Sequence, residues 1–204
     1  FERLAYANPK STIVATGTGS GKTECFLLPV LDAVLQMNAQ KIPGIKAIVI
    51  YPMNALATDQ ARRFASMCED IVQAGGPRLT VGLYTGSPGA ISGVMKGENC
   101  ITDRNVLRKN PPDILLTNYK MLDFLLLRRE DQALWRTTTA KSLRYLIVDE
   151  LHTFDGAQGT DLACLIRRLR DYLSLSDELA CVGTSATLGG GDGLPALQQY
   201  ASDV

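Results

Sequence analysis

The 204-residue chain has a single histidine, a single tryptophan and an aromatic content of only 6%. One histidine, His152, gives little support to a histidine-based metal site or a Ser-His-Asp triad. Charge of one sign is equally lacking: Lys+Arg 21 against Asp+Glu 21 leaves a formal net charge of zero. No global basic field therefore advertises a nucleic-acid or membrane partner, and any such contact has to be local. Apolar runs such as Leu122 to Leu127 fall far short of the ~20 residues of a membrane-spanning helix. No basic segment followed by an apolar one marks a leader, and the chain opens at Phe1 rather than Met, so it reads as a segment of something longer. Cys25, Cys68, Cys100, Cys164 and Cys181 are odd in number, widely spaced and never in a CxxC pair. This pattern excludes a disulfide framework and a cysteine metal centre, and the expectation is five reduced, mostly buried thiols in a cytoplasmic protein.

What is present is ordinary globular material, 46% hydrophobic and 21% charged, which excludes disordered, collagen-like and coiled-coil classes. The length suits one large domain, taken as residues 1–204, with room for a sizeable core. Short β-branched apolar runs alternate with longer segments of helical period, the pattern of a parallel α/β sheet covered by helices on both faces. Six strands are predicted, over residues 12–16, 47–51, 79–84, 113–117, 143–149 and 180–184. Leu56, Ala61, Phe64, Cys68 and Ile71 form one helical stripe, and Leu162, Leu165, Ile166, Leu169 and Leu173 another, both expected to pack on the sheet. Gly75-Gly76-Pro77 should stop the first helix, and Thr160 or Asp161 should cap the second. Pro29 should kink the helix that carries it or end its first segment. Residues 86–112 show no period and read as an irregular insertion, and Gly189 to Gly193 as a flexible loop.

The strongest chemical signal is Thr16-Gly17-Thr18-Gly19-Ser20-Gly21-Lys22-Thr23, placed between an apolar strand and an apolar helix. That context makes a phosphate-binding P-loop: backbone N–H groups converge on phosphate oxygens at the positive end of a helix. Lys22 would reach the phosphates and Thr23 would complete a Mg²⁺ shell. The usual first glycine is replaced by Thr16, with Gly17 one place later. A plain connecting turn needs one or two glycines and no following Lys-Thr.

The second signal is Asp149-Glu150-Leu151-His152 at the end of an apolar strand, the edge where ligands bind in open α/β sheets. Asp149 would hold Mg²⁺ and Glu150 would polarise an attacking water. Standing alone, an Asp-Glu pair is equally a capping or solvated turn. Thr184-Ser185-Ala186-Thr187 puts further hydroxyls after the last strand. The arginine clusters Arg62-Arg63, Arg128-Arg129 and Arg167-Arg168-Arg170 read as solvated helix faces.

Together these residues resemble the first RecA-like motor domain of superfamily-two helicases, the DEAD/DEAH-box-like P-loop NTPases. Gly17 to Thr23 is similar to motif I, Asp149 to His152 to a DExH motif II, and Ser185-Ala186-Thr187 to motif III. Tyr51-Pro52-Met53-Asn54-Ala55-Leu56 with Asp59-Gln60 resembles motif Ia, Thr85-Gly86 the short TG element, and Thr117-Asn118-Tyr119-Lys120-Met121-Leu122 motif Ib. The phrases around Pro52 and Asp149 look closest to large bacterial DNA helicases of the Lhr/Hrq-like and phage-defence kind.

The resemblance implies ATP and Mg²⁺, catalytic roles for Lys22, Asp149, Glu150 and His152, and coupling through Ser185 and Thr187. It also implies a groove for single-stranded nucleic acid, DNA more than RNA, lined by Pro52, Asn54, Thr85, Gly86, Thr117 and Asn118. The family's adenine-reading Gln motif is not visible between Phe1 and Lys10. A second motor domain with its arginine fingers is implied but absent from this segment, whose isolated turnover should then be weak, by ~10³–10⁵. A P-loop ATPase of another class and an ATP-gated clamp or scaffold remain open alternatives.

Overall fold

Residues 1–17, 21–86, 91–175 and 179–186 are described by the computed structural model. Thr18, Gly19, Ser20, Thr187 and the Gly189 to Gly193 tract lie outside them. The strands are β1 (Thr12–Ala15), β2 (Ala47–Tyr51), β3 (Val81–Tyr84), β4 (Ile114–Asn118), β5 (Tyr145–Val148) and β6 (Ala180–Ser185). All six predicted strands are present, with no end moved by more than two residues. They form one parallel sheet in the order β1-β6-β5-β2-β4-β3.

Successive side chains of a strand point to opposite faces, so a strand buried along its whole length has both faces covered. Every residue of β2 is 0% exposed, and β3 and β5 are also buried throughout. The covering helices are α1 (Lys22–Ala39), α2 (Asn54–Gln73), α3 (Arg104–Lys109), α4 (Tyr119–Leu127), α5 (Gln132–Trp135) and α6 (Gly156–Leu173). α2 packs on β2, β3 and β4 through Ala57, Ala61, Phe64 and Cys68, of which the last three belong to the predicted stripe; its Leu56 and Ile71 are half-buried against the core. α6 packs on α4, and Leu162, Leu165, Ile166 and Leu169 join the common core.

Several expectations are corrected. Pro29 does not end α1, which runs through it for 18 residues. Proline removes a single ladder bond there, while Phe26, Leu27, Val30, Leu31 and Val34 on the same helix stay buried. α6 starts at Gly156 behind Asp155, a turn before the predicted Thr160 or Asp161 cap. Burial around Gly159 outweighs the ~1 kcal/mol that a helical glycine loses against alanine. The stop after α2 holds: Gly75 is left-handed, and the N–H groups of Gly75 and Gly76 close onto Val72 and Ile71 carbonyls. Only Cys68 and Cys100 are buried, whereas Cys25 and Cys164 are exposed, so the thiols are not mostly core.

The segment predicted as an irregular insertion is only partly so. Ile101 pairs with β3 through two backbone bonds, Leu83 N to Ile101 O and Ile101 N to Val81 O, covering an otherwise open edge. α3 follows, capped by Asp103, whose carboxylate accepts from the Asn105 and Val106 N–H groups. At the other end of the sheet Lys46 and Asp113 pair at 2.7 Å, and Asp113 also accepts from the Thr80 N–H and hydroxyl at 2.8 Å. This buried staple joins the amino ends of β2, β3 and β4.

Gly82 gives β3 its close seat on α3: a Cβ there would lie 2.5 Å from Leu107 Cδ2 and 2.9 Å from Pro112 Cγ. Gly82→Ala is expected to cost about 1–3 kcal/mol through overpacking, read as a lower urea midpoint at unchanged m-value. An unchanged midpoint would show that Leu107 yields freely.

Candidate active site

Because the sheet is parallel, all six strands end on one edge. Read along it, the carboxyl ends deliver Thr16-Gly17 and, at the start of α1, Gly21-Lys22-Thr23 from β1, Ser185 from β6, and Asp149-Glu150 from β5. Next come Pro52 and Asn54 from β2, Asn118 from β4, and Thr85-Gly86 from β3. The residues expected to handle nucleotide therefore occupy β1, β6 and β5, and those expected to face a strand occupy β2, β4 and β3.

On the first half, Gly21 is left-handed (φ 80) at the start of α1, a conformation that glycine adopts without Cβ strain. Lys22 and Thr23 open the helix and are half-buried. Lys22 Nζ lies 3.6 Å from Glu150 Oε1. Both Lys22 Nζ and Glu150 Oε2 are buried without a hydrogen-bond partner. An ammonium with unused donors at the N-terminus of an 18-residue helix is the donor set that anionic oxygens require. Among the described residues no three carboxylates, cysteines or histidines gather into an all-protein metal cage. Asp149 and Thr23 thus fit Mg²⁺ only in its usual mode, held by few protein ligands together with phosphates and water.

Thr184 organises the carboxylates. Its hydroxyl donates to Asp149 Oδ1 and accepts from the Glu150 N–H at 3.0 Å. Asp149 is 6% exposed, and burial lifts its pKa above the usual carboxylate range, opposed by the Thr184 hydrogen bond. Glu150 is left-handed (φ 51, ψ 50) ahead of a short 3₁₀ turn, Leu151–Thr153, a strain of order 1–3 kcal/mol. Gly183 admits that turn, since a Cβ there would meet Leu151 Cδ2 at 2.7 Å. His152 Nδ1 then lies 3.2 Å from Ser185 Oγ and 3.4 Å from Glu150 Oε2.

On the second half, Asn118 donates from Nδ2 to Asn54 Oδ1 at 2.6 Å and accepts the Met121 N–H, capping α4. Pro52, Asn54 and Asn118 are half-buried, and Gly86 is exposed. Two expectations need correction. The Thr117 hydroxyl is fully buried and donates to Tyr84 O at 2.7 Å, so it pins β4 to β3 and cannot serve as a surface donor. Thr85 is 3% exposed, which leaves the exposed part of that turn to Gly86.

The halves meet at two places. Tyr119, after Asn118, packs edge-on against Phe154, after the 3₁₀ turn, with ring centroids 5.5 Å apart at 87°. The Tyr51 hydroxyl is buried without a hydrogen-bond partner, and burial with the neighbouring Asp149 charge raises its pKa well above normal.

Sequence reasoning assigned no role to Thr184, Phe154, Tyr51 or Arg104. Thr184 was visible in the hydroxyl run, but only the register of β6 against β5 tells which hydroxyl faces Asp149. Arg62, Arg63, Arg167 and Arg168 lie on exposed helix faces as expected, with Arg63 paired to Glu24, Arg168 to Asp123 and Arg62 to Asp59, whereas Arg170 is half-buried and Arg128-Arg129 follow the end of α4 rather than forming a helix face.

Because burial raises the folded-state pKa of Asp149, the folded protein holds this proton more tightly than the unfolded chain. Stability therefore falls as pH rises through the interval between the two pKa values, and the cost is fully present above it. Asp149→Asn, which keeps an acceptor for Thr184, is expected to flatten that fall and to raise the thermal midpoint of the nucleotide-free protein at pH 7. An unchanged pH profile would show that this carboxylate carries no burial cost.

The DEAD/DEAH box helicase family model matches residues 3–192. The chain is 31% identical over 182 residues to an uncharacterised ATP-dependent helicase of Methanocaldococcus jannaschii, covering 89% of this chain and 24% of the relative. It is 27% identical to the Druantia protein DruE of Escherichia coli, covering 87% of this chain and 15% of that one. Among solved structures, the helicase MrfA bound to DNA and AMPPNP superposes with a TM-score of 0.65 at 29% identity, over 91% of this chain and 23% of that one. A DEAD-box helicase bound to single-stranded RNA shares the fold at a TM-score of 0.68 and 18% identity. The chain spans about a quarter or less of these curated relatives. The family model spans most of the chain, and with Gly21-Lys22-Thr23, the Asp-Glu pair and hydroxyl-bearing β6 on one edge of a RecA-like sheet, the chain belongs to the DEAD/DEAH box helicase family.

Proposed function

We propose that this chain is the ATP-binding half of a nucleic-acid motor that couples ATP hydrolysis to movement along a single strand, DNA in preference to RNA. The observation that carries the reading is the pairing of a buried, hydrogen-bond-free Lys22 ammonium with Glu150, next to an edge that ends in Asn54, Asn118 and Gly86. The family is one of ATP-using helicases, and the relative MrfA was solved bound to DNA.

In this reading Thr16 to Thr23 would cradle the triphosphate, Lys22 would reach its oxygens, and Thr23 and Asp149 would hold Mg²⁺. The metal would neutralise charge on the phosphate oxygens. Glu150, released from Lys22 by the phosphates, orients the attacking water and takes its proton. His152 and Ser185 link that carboxylate to β6, and with Thr187 they form the coupling path toward a second RecA-like domain of the same protein. Pro52, Asn54, Gly86 and Asn118 face the strand, Pro52 through its ring and the other three with backbone amides on phosphates, which needs no basic patch. Among the described residues no helix is long and apolar enough to cross a membrane.

ATP turnover by the full-length parent protein, with and without single-stranded DNA and RNA, tests this directly. DNA is expected to stimulate most. Lys22→Ala should abolish the stimulated rate, and Glu150→Gln should keep nucleotide binding while losing about 10²–10⁴ in turnover. Turnover indifferent to both polymers would move the chain to another kind of P-loop ATPase, and an unaffected Glu150→Gln variant to a clamp.

A further inference from the structure

The Thr85-Gly86 turn, the end of β3 that the strand-facing half presents, is held by a residue from the aperiodic segment. Arg104, the first residue of α3, donates from Nη2 to Thr85 O at 2.9 Å and to Gly86 O at 3.3 Å. Its guanidinium lies 5.3 Å from the centroid of the Tyr84 ring. Tyr84 is fixed in turn, its hydroxyl donating at 2.5 Å to Asp131, which also accepts from Arg108 Nε at 2.8 Å. Arg108 belongs to the same short helix, so α3 grips β3 from both of its turns. Asp131 is 0% exposed, and burial together with this hydrogen bond pushes the Tyr84 pKa up to about 12, which keeps the phenol a donor.

This arrangement dictates where the turn's donors point. Within a trans peptide unit the carbonyl and the following N–H face opposite ways, and no cis peptide occurs among the described residues. With the Thr85 carbonyl turned to Arg104, the Gly86 N–H faces away from the guanidinium. Gly86 is exposed and carries no side chain to cover that donor. Arginine suits the task because its planar fork serves two acceptors and a ring at once, whereas a lysine ammonium is a single point charge.

We propose that Arg104 is a positioning residue that sets the Thr85-Gly86 turn so that the Gly86 N–H meets a phosphate of the bound strand, without touching the strand itself. The inference rests on the nucleic-acid reading above and assigns to the 86–112 segment a part in strand binding.

The test compares the full-length parent with its Arg104→Ala and Arg104→Lys variants. The readouts are the half-saturating concentration of single-stranded DNA for stimulated turnover, the maximal rate, the DNA-free rate, the thermal midpoint and the salt dependence of DNA affinity. Arg104→Ala should raise the half-saturating DNA about ten- to a hundredfold, the worth of a hydrogen bond to a charged group. The maximal and DNA-free rates should not move, and Arg104→Lys should recover part of the loss.

Each phosphate neutralised by a Lys or Arg side chain adds about 0.7 to the slope of log affinity against log salt on a single strand, whereas a backbone N–H contact adds none. An unchanged slope in Arg104→Ala supports positioning, and a slope smaller by about 0.7 overturns it in favour of direct contact. Equal half-saturation in wild type and variant, or loss of the DNA-free rate with the thermal midpoint, also overturns it. Should Arg104→Ala fail to fold, Arg104→Lys carries the same comparison. A wild-type protein that ignores DNA and RNA overturns the motor reading and this inference together, whereas one that responds isolates the fault to Arg104.

Discussion

Parallel pairing of six strands is the constraint on which everything else in this molecule depends. It requires a crossover after every strand, supplied here mostly by helices, and it brings all six carboxyl ends to a single edge. The register then fixes neighbours: Ala15 sits beside Ser185, Val148 beside Gly183, and Tyr51 beside Asn118. From those pairs follow the approach of Thr184 to Asp149 and of Asn118 to Asn54. A slip of one residue in β6 would point Thr184 to the opposite face and leave Asp149 without its donor.

The edge gathers features that oppose stability. Glu150 is left-handed, Asp149 is buried, and Lys22 Nζ and the Tyr51 hydroxyl are buried without hydrogen bonds. The amino end of the sheet is the reverse. Lys46, Asp113 and Thr80 satisfy one another there, and the Tyr145 hydroxyl donates to Leu4 O. A rigid, hydrogen-bonded base supporting a strained, under-satisfied rim is what a site needs when its partners arrive only with a ligand.

Between the half of the edge formed by β1, β6 and β5 and the half formed by β2, β4 and β3 the connection is short. His152 bridges Glu150 and Ser185, while Phe154, two residues on, packs against Tyr119 beside Asn118. The 3₁₀ turn that places His152 also places Phe154. Glu150 and Asn118 are thus joined by packed groups within one turn of chain.

Much of this was legible in the sequence. The six apolar runs marked the strands because a strand buried on both faces has no polar positions to interrupt it. Gly21-Lys22-Thr23 and Asp149-Glu150 stood out because backbone approach to phosphate and metal-linked acid–base work admit few residue types, and the fold brings the two segments together at one edge. The illegible part was pairing at a distance. Thr117 and Thr85 have the composition of surface donors, yet the tight β3 to β4 register buries both. Arg104 stands in a segment without period, and nothing local shows that its guanidinium meets carbonyls eighteen and nineteen residues back. The sequence by itself determined which elements form and which chemistry the loops can carry, since both depend on residues adjacent in the chain. The tertiary structure alone decided which hydroxyl serves Asp149, which threonines are hidden and which arginine holds the Gly86 turn, because those depend on distances between strands remote in sequence.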